Sequence, residues 1–519
     1  MKSRKNTILW IDDEIELLES HIIYLTDKGY SVVTSNSGED AILYCNNNSV
    51  DLVLLDEMMT GIDGIETLKR LKVANPDLPI IMVTRNEEED LIEEALSEKI
   101  SYYLTKPVNP SQILIACKKV LNNKQIIEDA QIKKFLDFTR YLQNIDYKNL
   151  DYKDWTKEYQ NICEWSLIID NFNNIDLKKI LESEKEVLNN NFSKYIVQNY
   201  KSWFNDESSR PILSCDIFNK TLKPIISKNR KLIFIIIDCF RLDQWKQISS
   251  LLNSNYNINE DTHYSIIPTA TPFARNSIFS GMMPLDIKNN YSDIWNKMIS
   301  ENKLNSYEDE LFRRCLDDNK FSKKSLHYEK VSNYEEGIRF YNRINDFKDI
   351  DILSIVVNFV DILGHSRSES NILKELIPNE SAYRLSIYNW FKNSWLKDCI
   401  YKFQNWDADI VITSDHGNRM VSKPTLVKAD KTVSEGIRYK YGRNLNINHK
   451  EVFKIENPHD YFLPMFDVNT QYIVARDNKF FVYANQYNKY SNIIKNSFQH
   501  GGISMEEMIV PLVTLTNKK

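Results

Sequence analysis

Lys231-Leu-Ile-Phe-Ile-Ile-Ile-Asp238 has strand length, no polar alternation after its first residue, and a carboxylate at its end. Such a run fits a strand buried on both faces of a parallel sheet. It predicts an α/β domain whose central, mostly parallel sheet carries Asp238 at its carboxyl edge. By itself Asp238 reads equally well as the N-cap of a helix over residues 241–251. The design recurs twice. Residues 352–360 (ILSIVVNFV) deliver Asp361-Ile-Leu-Gly-His365, whose carboxylate and imidazole lie on one helical face or bracket a tight turn. Residues 408–414 (ADIVITS) deliver Asp415-His416-Gly417, and the turn that glycine permits lets both side chains face one cation. Farther on, Gln499-His500-Gly501-Gly502 places an imidazole before a double glycine, and Ser504 to Glu507 is close to a capping box.

Between these strands, residues 268–281 read PTATPFARNSIFSG. Pro272 suits a first helical position, which makes Thr271 the predicted N-cap of a helix running through Phe279 and stopped by Gly281. A hydroxyl there, beside the positive helix end, could be activated by a bound metal as a nucleophile. Arg275, one turn on, is placed to pair with phosphate oxygens. Together Asp238, Thr271, Asp361, His365, Asp415, His416 and His500 make the pattern that two divalent ions about 4 Å apart need to cleave a phosphate ester. A further stretch, residues 436–444, interleaves Arg438, Lys440 and Arg443 with Tyr439 and Tyr441. That composition suits phosphates with stacked bases, and equally a solvated loop or edge hairpin. His21, His263, His327, His449 and His459 lack an acidic or histidine partner at ligand spacing and read as structural or surface residues.

At 519 residues the chain exceeds what one core can organise, so about two to four domains are expected. A net charge of -6 and a pI near 5.9 exclude a basic surface across the whole molecule, and duplex DNA is not an expected ligand. The seven cysteines show no paired spacing and read as reduced and mostly buried. Without a signal-like start or an apolar run long enough to span a bilayer, the expected location is cytoplasmic, with no direct membrane insertion.

Residues 7–11, 31–34, 52–55, 79–83 and 102–104 are short apolar strands, each followed by a helical segment, a fivefold β/α repeat. Asp12 and Asp13, Asp56, Thr84 and Lys106 sit at the strand ends, where such sheets place ligands. Three carboxylates on one edge call for a cation. This set resembles a two-component receiver domain of flavodoxin-like fold over residues 1–122. The resemblance implies that Asp56 accepts phosphate, Asp12 and Asp13 hold Mg²⁺, Thr84 and Lys106 report phosphorylation, and Tyr103 is the switch aromatic. Thr60 stands where such loops usually have proline, and Arg85 where a small residue is common.

Residues 123–225 lack glycine and mix apolar with charged residues at helical spacing, which predicts a helical bundle connector. Trp155, Trp165 and Trp203 read as its core, with partner docking as the other use for them. No basic recognition helix follows the receiver.

The ordered series strand-Asp, Thr at a helix start, strand-Asp-x-x-x-His, strand-Asp-His-Gly and His-Gly-Gly resembles the alkaline phosphatase superfamily. The domain so assigned is 226–519, and PTATPFARNSIFSG is similar to its PglZ branch. The resemblance implies one metal on Asp361, His365 and His500, and another on Asp238, Asp415, His416 and the oxygen of Thr271. Two Zn²⁺ are the expected cofactors, with Mn²⁺ serving in some relatives. It also implies in-line attack by Thr271. Relatives with threonine there include nucleotide phosphodiesterases, so cleavage of diesters in nucleotides or oligonucleotides is expected over monoester hydrolysis. The competing reading is a catalytically silent signalling scaffold that uses a structural zinc site to bind partners. End to end, the order of parts resembles the PorX-type response regulators of Bacteroidetes. That implies type IX secretion control, a sensor histidine kinase as phosphoryl donor, and a sigma factor or the secretion motor's cytoplasmic domain as contacts. A phosphorylation-favoured homodimer is the expected mode of control.

Overall fold

Each short apolar run near the start of the chain becomes a strand of one parallel sheet. In the computed structural model, Thr7–Ile11 (β1), Ser31–Ser35 (β2), Leu52–Asp56 (β3), Ile80–Thr84 (β4) and Tyr102–Thr105 (β5) align in the order β2-β1-β3-β4-β5. β3 and β4 are buried along their whole length, as their lack of polar alternation requires. Helices Glu19–Asp27 (α1), Gly38–Asn47 (α2) and Gly64–Ala74 (α3) alternate with them, and the side chains of Ser37 and Asp63 cap α2 and α3. The structure describes residues 5–85, 100–172, 174–428, 434, 436–447, 452–483 and 487–518. The helix expected after β4, and His449, lie outside them.

The chain divides into two compact units, Met1–Tyr141 and Leu142–Lys519. Helix Pro110–Gln143 (α4) runs across residue 122 without a break. Helices Tyr152–Asp170 (α5) and Ile175–Asn199 (α6) belong to the second unit, where Trp155 and Trp203 are core residues. Trp155 packs edge-on against Phe192 at 5.5 Å, and Trp203 against Tyr264 at 5.7 Å. Apolar burial and aromatic packing therefore tie the helical segment into the second unit.

That unit is built on Lys231–Ile237 (β6), Tyr256–Tyr264 (β7), Leu326–Val331 (β8), Ile352–Val357 (β9), Ala408–Thr413 (β10) and Ile509–Asn517 (β11). Their order is β7-β11-β10-β6-β9-β8, with β10, β6, β9 and β8 parallel and β11 antiparallel to both neighbours. The runs that read as doubly buried are so: all of β9 and β10, and β6 after its first lysine. The helices that carry or support the site are Leu242–Ser249 (α7), Thr271–Ser280 (α8), Phe359–Glu369 (α9), Glu380–Lys392 (α10) and Met505–Met508 (α11). Because β9, β6 and β10 are adjacent and parallel, the segments bearing Asp361, Asp238 and Asp415 leave the sheet at one edge. Among the described residues, no helix is long and apolar enough to cross a membrane.

Candidate active site

At that edge, among the described residues, two clusters of metal-capable side chains form next to each other. Asp361 and His365, one turn apart on α9, bring Oδ1 and Nε2 to 3.3 Å, and His500 places its Nε2 3.8 Å from the same oxygen. In the second cluster His416 Nε2 lies 3.9 Å from Asp238 Oδ1 and 3.7 Å from Asp415 Oδ2. The rings of His416 and His500 stack at 4.3 Å, which joins the two clusters. Within each triad the ligand atoms lie within 4.8 Å of one another.

The local sequence explains how these groups meet. Asp415 Oδ1 accepts from Cys239 N at 3.3 Å, which ties the end of β10 to the end of β6. A Cβ on Gly417 would stand 2.0 Å from Glu506 O, so only glycine lets the Asp-His-Gly turn lie against the segment after His500. Gly501 has φ +107, and a Cβ there would meet Tyr439 Cδ1 at 2.5 Å. The double glycine is therefore a packing requirement as well as a turn.

Thr271 Oγ1 lies 3.1 Å from His416 Nε2. The helix begins at Thr271 itself, with Ala270 as an extended N-cap, so Thr271 is not the N-cap that Pro272 suggested and its hydroxyl caps no backbone N–H. It is free of that duty and faces the second triad. His416 Nδ1 lies 3.1 Å from Gly417 O, and donating there leaves Nε2 with its lone pair toward the site.

Burial dominates the electrostatics. It pushes the Asp238 carboxyl up to about 7; Arg275 opposes this, and the charges of Asp415 and Asp361 add to it. Burial raises Asp415 as well. It lowers His416, and with the charge of His416 brings His500 down to about 4, so both imidazoles favour the neutral, ligating form. On Asp361 burial also acts upward, but the hydrogen bond to His365 and the charges of His500 and His365 hold the carboxyl well below the usual range. Asp238 Oδ1, Asp415 Oδ2 and His500 Nδ1 are buried without hydrogen-bond partners among the described residues. Orphaned oxygens on Asp238 and Asp415, beside the imidazoles of His416 and His500, are the kind of donor set a divalent transition metal takes.

All four basic residues expected at a phosphate have a partner within the chain. Arg275 is fully buried, with Nη1 2.8 Å from Asp238 Oδ2 and Nε 2.6 Å from Glu308 Oε1, so it is the counter-charge of the second triad. Arg438 is buried on Glu507, with Nε to Oε1 at 2.7 Å and Nη2 to Oε2 at 2.8 Å, and is a core ion pair. In the strand Tyr439–Gly442 Lys440 alternates inward and its ammonium donates to Ser434 O at 3.0 Å. Arg443 remains half exposed, 3.0 Å from Asp467. Glu308, Tyr383 and Asn418 support the site and carry no local sequence signal.

In the first unit, Lys106 Nζ lies 2.8 Å from Asp56 Oδ1 and 3.0 Å from Asp12 Oδ2, and Asp12, Asp13 and Asp56 form a third cluster of oxygens. Burial raises the Asp56 carboxyl against the hydrogen bond from Lys106. Thr84 donates its hydroxyl to Glu57, Thr60 N donates to Asp13 Oδ2 at 2.9 Å, and Tyr103 is exposed and stacked on Tyr102.

Comparison with known families finds the receiver domain of response regulators at residues 8–118, the linker domain of the PorX response regulator at 125–204, and the BREX system PglZ alkaline phosphatase-like domain at 217–515. The heme response regulator HssR of Staphylococcus haemolyticus is 35% identical over 155 residues, 29% of this chain and 68% of HssR. The alkaline phosphatase synthesis transcriptional regulatory protein PhoP of Bacillus subtilis is 33% identical over 119 residues, 23% of this chain and 50% of PhoP. The chain thus spans half the length of the latter. Among solved structures, a CheY-like response regulator receiver domain protein from Methanospirillum hungatei JF-1 shares 26% identity, covering 24% of this chain and 98% of its own, with a TM-score of 0.23.

Proposed function

Because the chain belongs to the PorX-type response regulators, with a receiver, a PorX linker and a PglZ alkaline phosphatase-like domain, we propose that its second unit is a two-metal phosphodiesterase acting on nucleotides or oligonucleotides. The observation that carries this reading is the hydroxyl of Thr271, uncommitted to helix capping, 3.1 Å from His416 Nε2. In this reading Asp238, Asp415, His416 and the Thr271 oxygen hold one ion, and Asp361, His365 and His500 the other. Three imidazoles favour Zn²⁺, and the carboxylates also suit Mn²⁺. Bound there, the ions would supply Lewis acidity at the attacking and leaving oxygens.

The chain's own groups prepare the nucleophile. The N-terminus of α8 favours negative charge on Thr271 Oγ1. Arg275 offsets the repulsion of Asp238 and Asp415, 2.8 and 3.8 Å away. Gly417 O fixes the His416 tautomer.

The receiver domain implies a sensor histidine kinase as phosphoryl donor. We infer that Asp56 is the acceptor, that Asp12 and Asp13 hold Mg²⁺, and that phosphorylation favours a homodimer that regulates type IX secretion. The hydrolase is tested with full-length protein on bis(p-nitrophenyl) phosphate. Thr271→Ala is expected to lower kcat by about 10³-fold or more while the protein stays folded. Equal rates for the two proteins overturn the assignment of the nucleophile.

A further inference from the structure

Three segments that carry ligands of the two triads are contacted by a single helix, α10. Tyr383 of α10 is fully buried and donates its hydroxyl to Val360 O at 3.0 Å, one residue before Asp361. The same hydroxyl accepts from Asn418 Nδ2 at 2.9 Å, two residues after His416. Its ring stacks on Phe498, two residues before His500, at 4.1 Å. Gly364, between Asp361 and His365, lies against the same pair: a Cβ there would be in van der Waals contact, at 3.4 Å, with both the Tyr383 hydroxyl and Asn418 Nδ2.

The same buried face of α10 also carries an ionic lattice. Glu380 pairs with Lys185 of α6, and lies 3.4 Å from Arg241, three residues after Asp238. Arg384 bonds Asp243 at 2.9 Å and Asp170 of α5 at 2.7 Å. Arg419, three residues after His416, holds both oxygens of Glu506 at 2.9 Å, and Asn189 of α6 donates to Glu506 Oε1 at 3.3 Å. Buried ions contribute little net stability compared with apolar residues of the same shape, so this many of them in one place fixes geometry more than it adds stability.

We propose that Tyr383 is the positioning residue that keeps the two triads in register, and that α10 is the frame through which linker helices α5 and α6 set the spacing of the metal ligands. This rests on the two-metal reading given above. On this basis the linker forms the back wall of the active site, and displacing Lys185 or Asp170 changes ligand spacing without touching a ligand.

The test uses the full-length chain and zinc competition against a chelator of known affinity, beside kcat and KM on bis(p-nitrophenyl) phosphate. Tyr383→Phe keeps the ring and removes only the hydroxyl, so the fold is retained. It is expected to weaken both zinc equivalents about 10-fold or more, with kcat reduced and KM within twofold. Lys185→Met is expected to weaken both by a smaller factor, and Lys185→Arg to restore them. Wild-type zinc affinity and kcat in Tyr383→Phe overturn the proposal, as does loss of affinity at one ion alone. Unchanged zinc binding in Lys185→Met overturns the part assigned to the linker. Wild-type protein that binds no zinc and hydrolyses nothing instead removes the hydrolase reading itself.

Discussion

Arg438 sits among tyrosines in a stretch that looks built for phosphate, yet its guanidinium forks onto Glu507, which in turn accepts from Gly502 N at 2.8 Å and from the Ser504 hydroxyl at 2.7 Å. Breaking such a buried pair from one side leaves an uncompensated charge and costs about 3–5 kcal/mol. Arg438→Met should therefore lose about that much stability in urea unfolding, with KM for a diester unchanged. A tenfold rise in KM at unaltered stability would return this residue to the substrate. Period-two alternation decides the matter: Tyr439 and Tyr441 face one way, toward Phe273 at 5.8 and 6.2 Å, and Lys440 the other. Sequence shows that the two sets separate, but not which of them meets solvent.

At the scale of elements, α7, α10 and the linker helices share the charge lattice, which gives it a signature in acid. Burial alone would raise the Asp243 carboxyl, but the charge and hydrogen bonds of Arg241, with the charge of Arg384, hold it down to about 2 from an ordinary 3.8. A folded value below the unfolded one means stability present above about pH 4 and lost as pH falls through 2. Melting by circular dichroism should place Asp243→Asn below wild type at pH 7, with the gap closing toward pH 2. A gap that stays constant with pH would show that Asp243 is not held by its arginines. The helices themselves were legible from their periodicity. Their attachment to the second unit was not, because Asn189, Lys185 and Asp170 find partners more than 190 residues away.

For the whole molecule, control must begin at the receiver. On the proposed reading, phosphorylation of Asp56 would place a doubly charged group beside Lys106 and the Asp12/Asp13 pair. With Mg²⁺ and a small-molecule phosphoryl donor, wild type is expected to elute earlier in gel filtration and Asp56→Asn to stay unshifted. An unchanged elution volume for phosphorylated wild type counts against the dimer. The sequence alone determined the parallel strands and the acids and histidines at their ends, because a doubly buried strand and a strand-end ligand are local patterns. It also placed Asp12, Asp13, Asp56, Thr84 and Lys106 at strand ends of the first sheet. Only the tertiary structure decided that β9, β6 and β10 are neighbours, that Arg275 and Arg438 serve carboxylates of the chain, and that Tyr383 bridges the segments that follow β9 and β10. Strand order and side-chain partners depend on contacts across hundreds of residues, which no local spacing encodes.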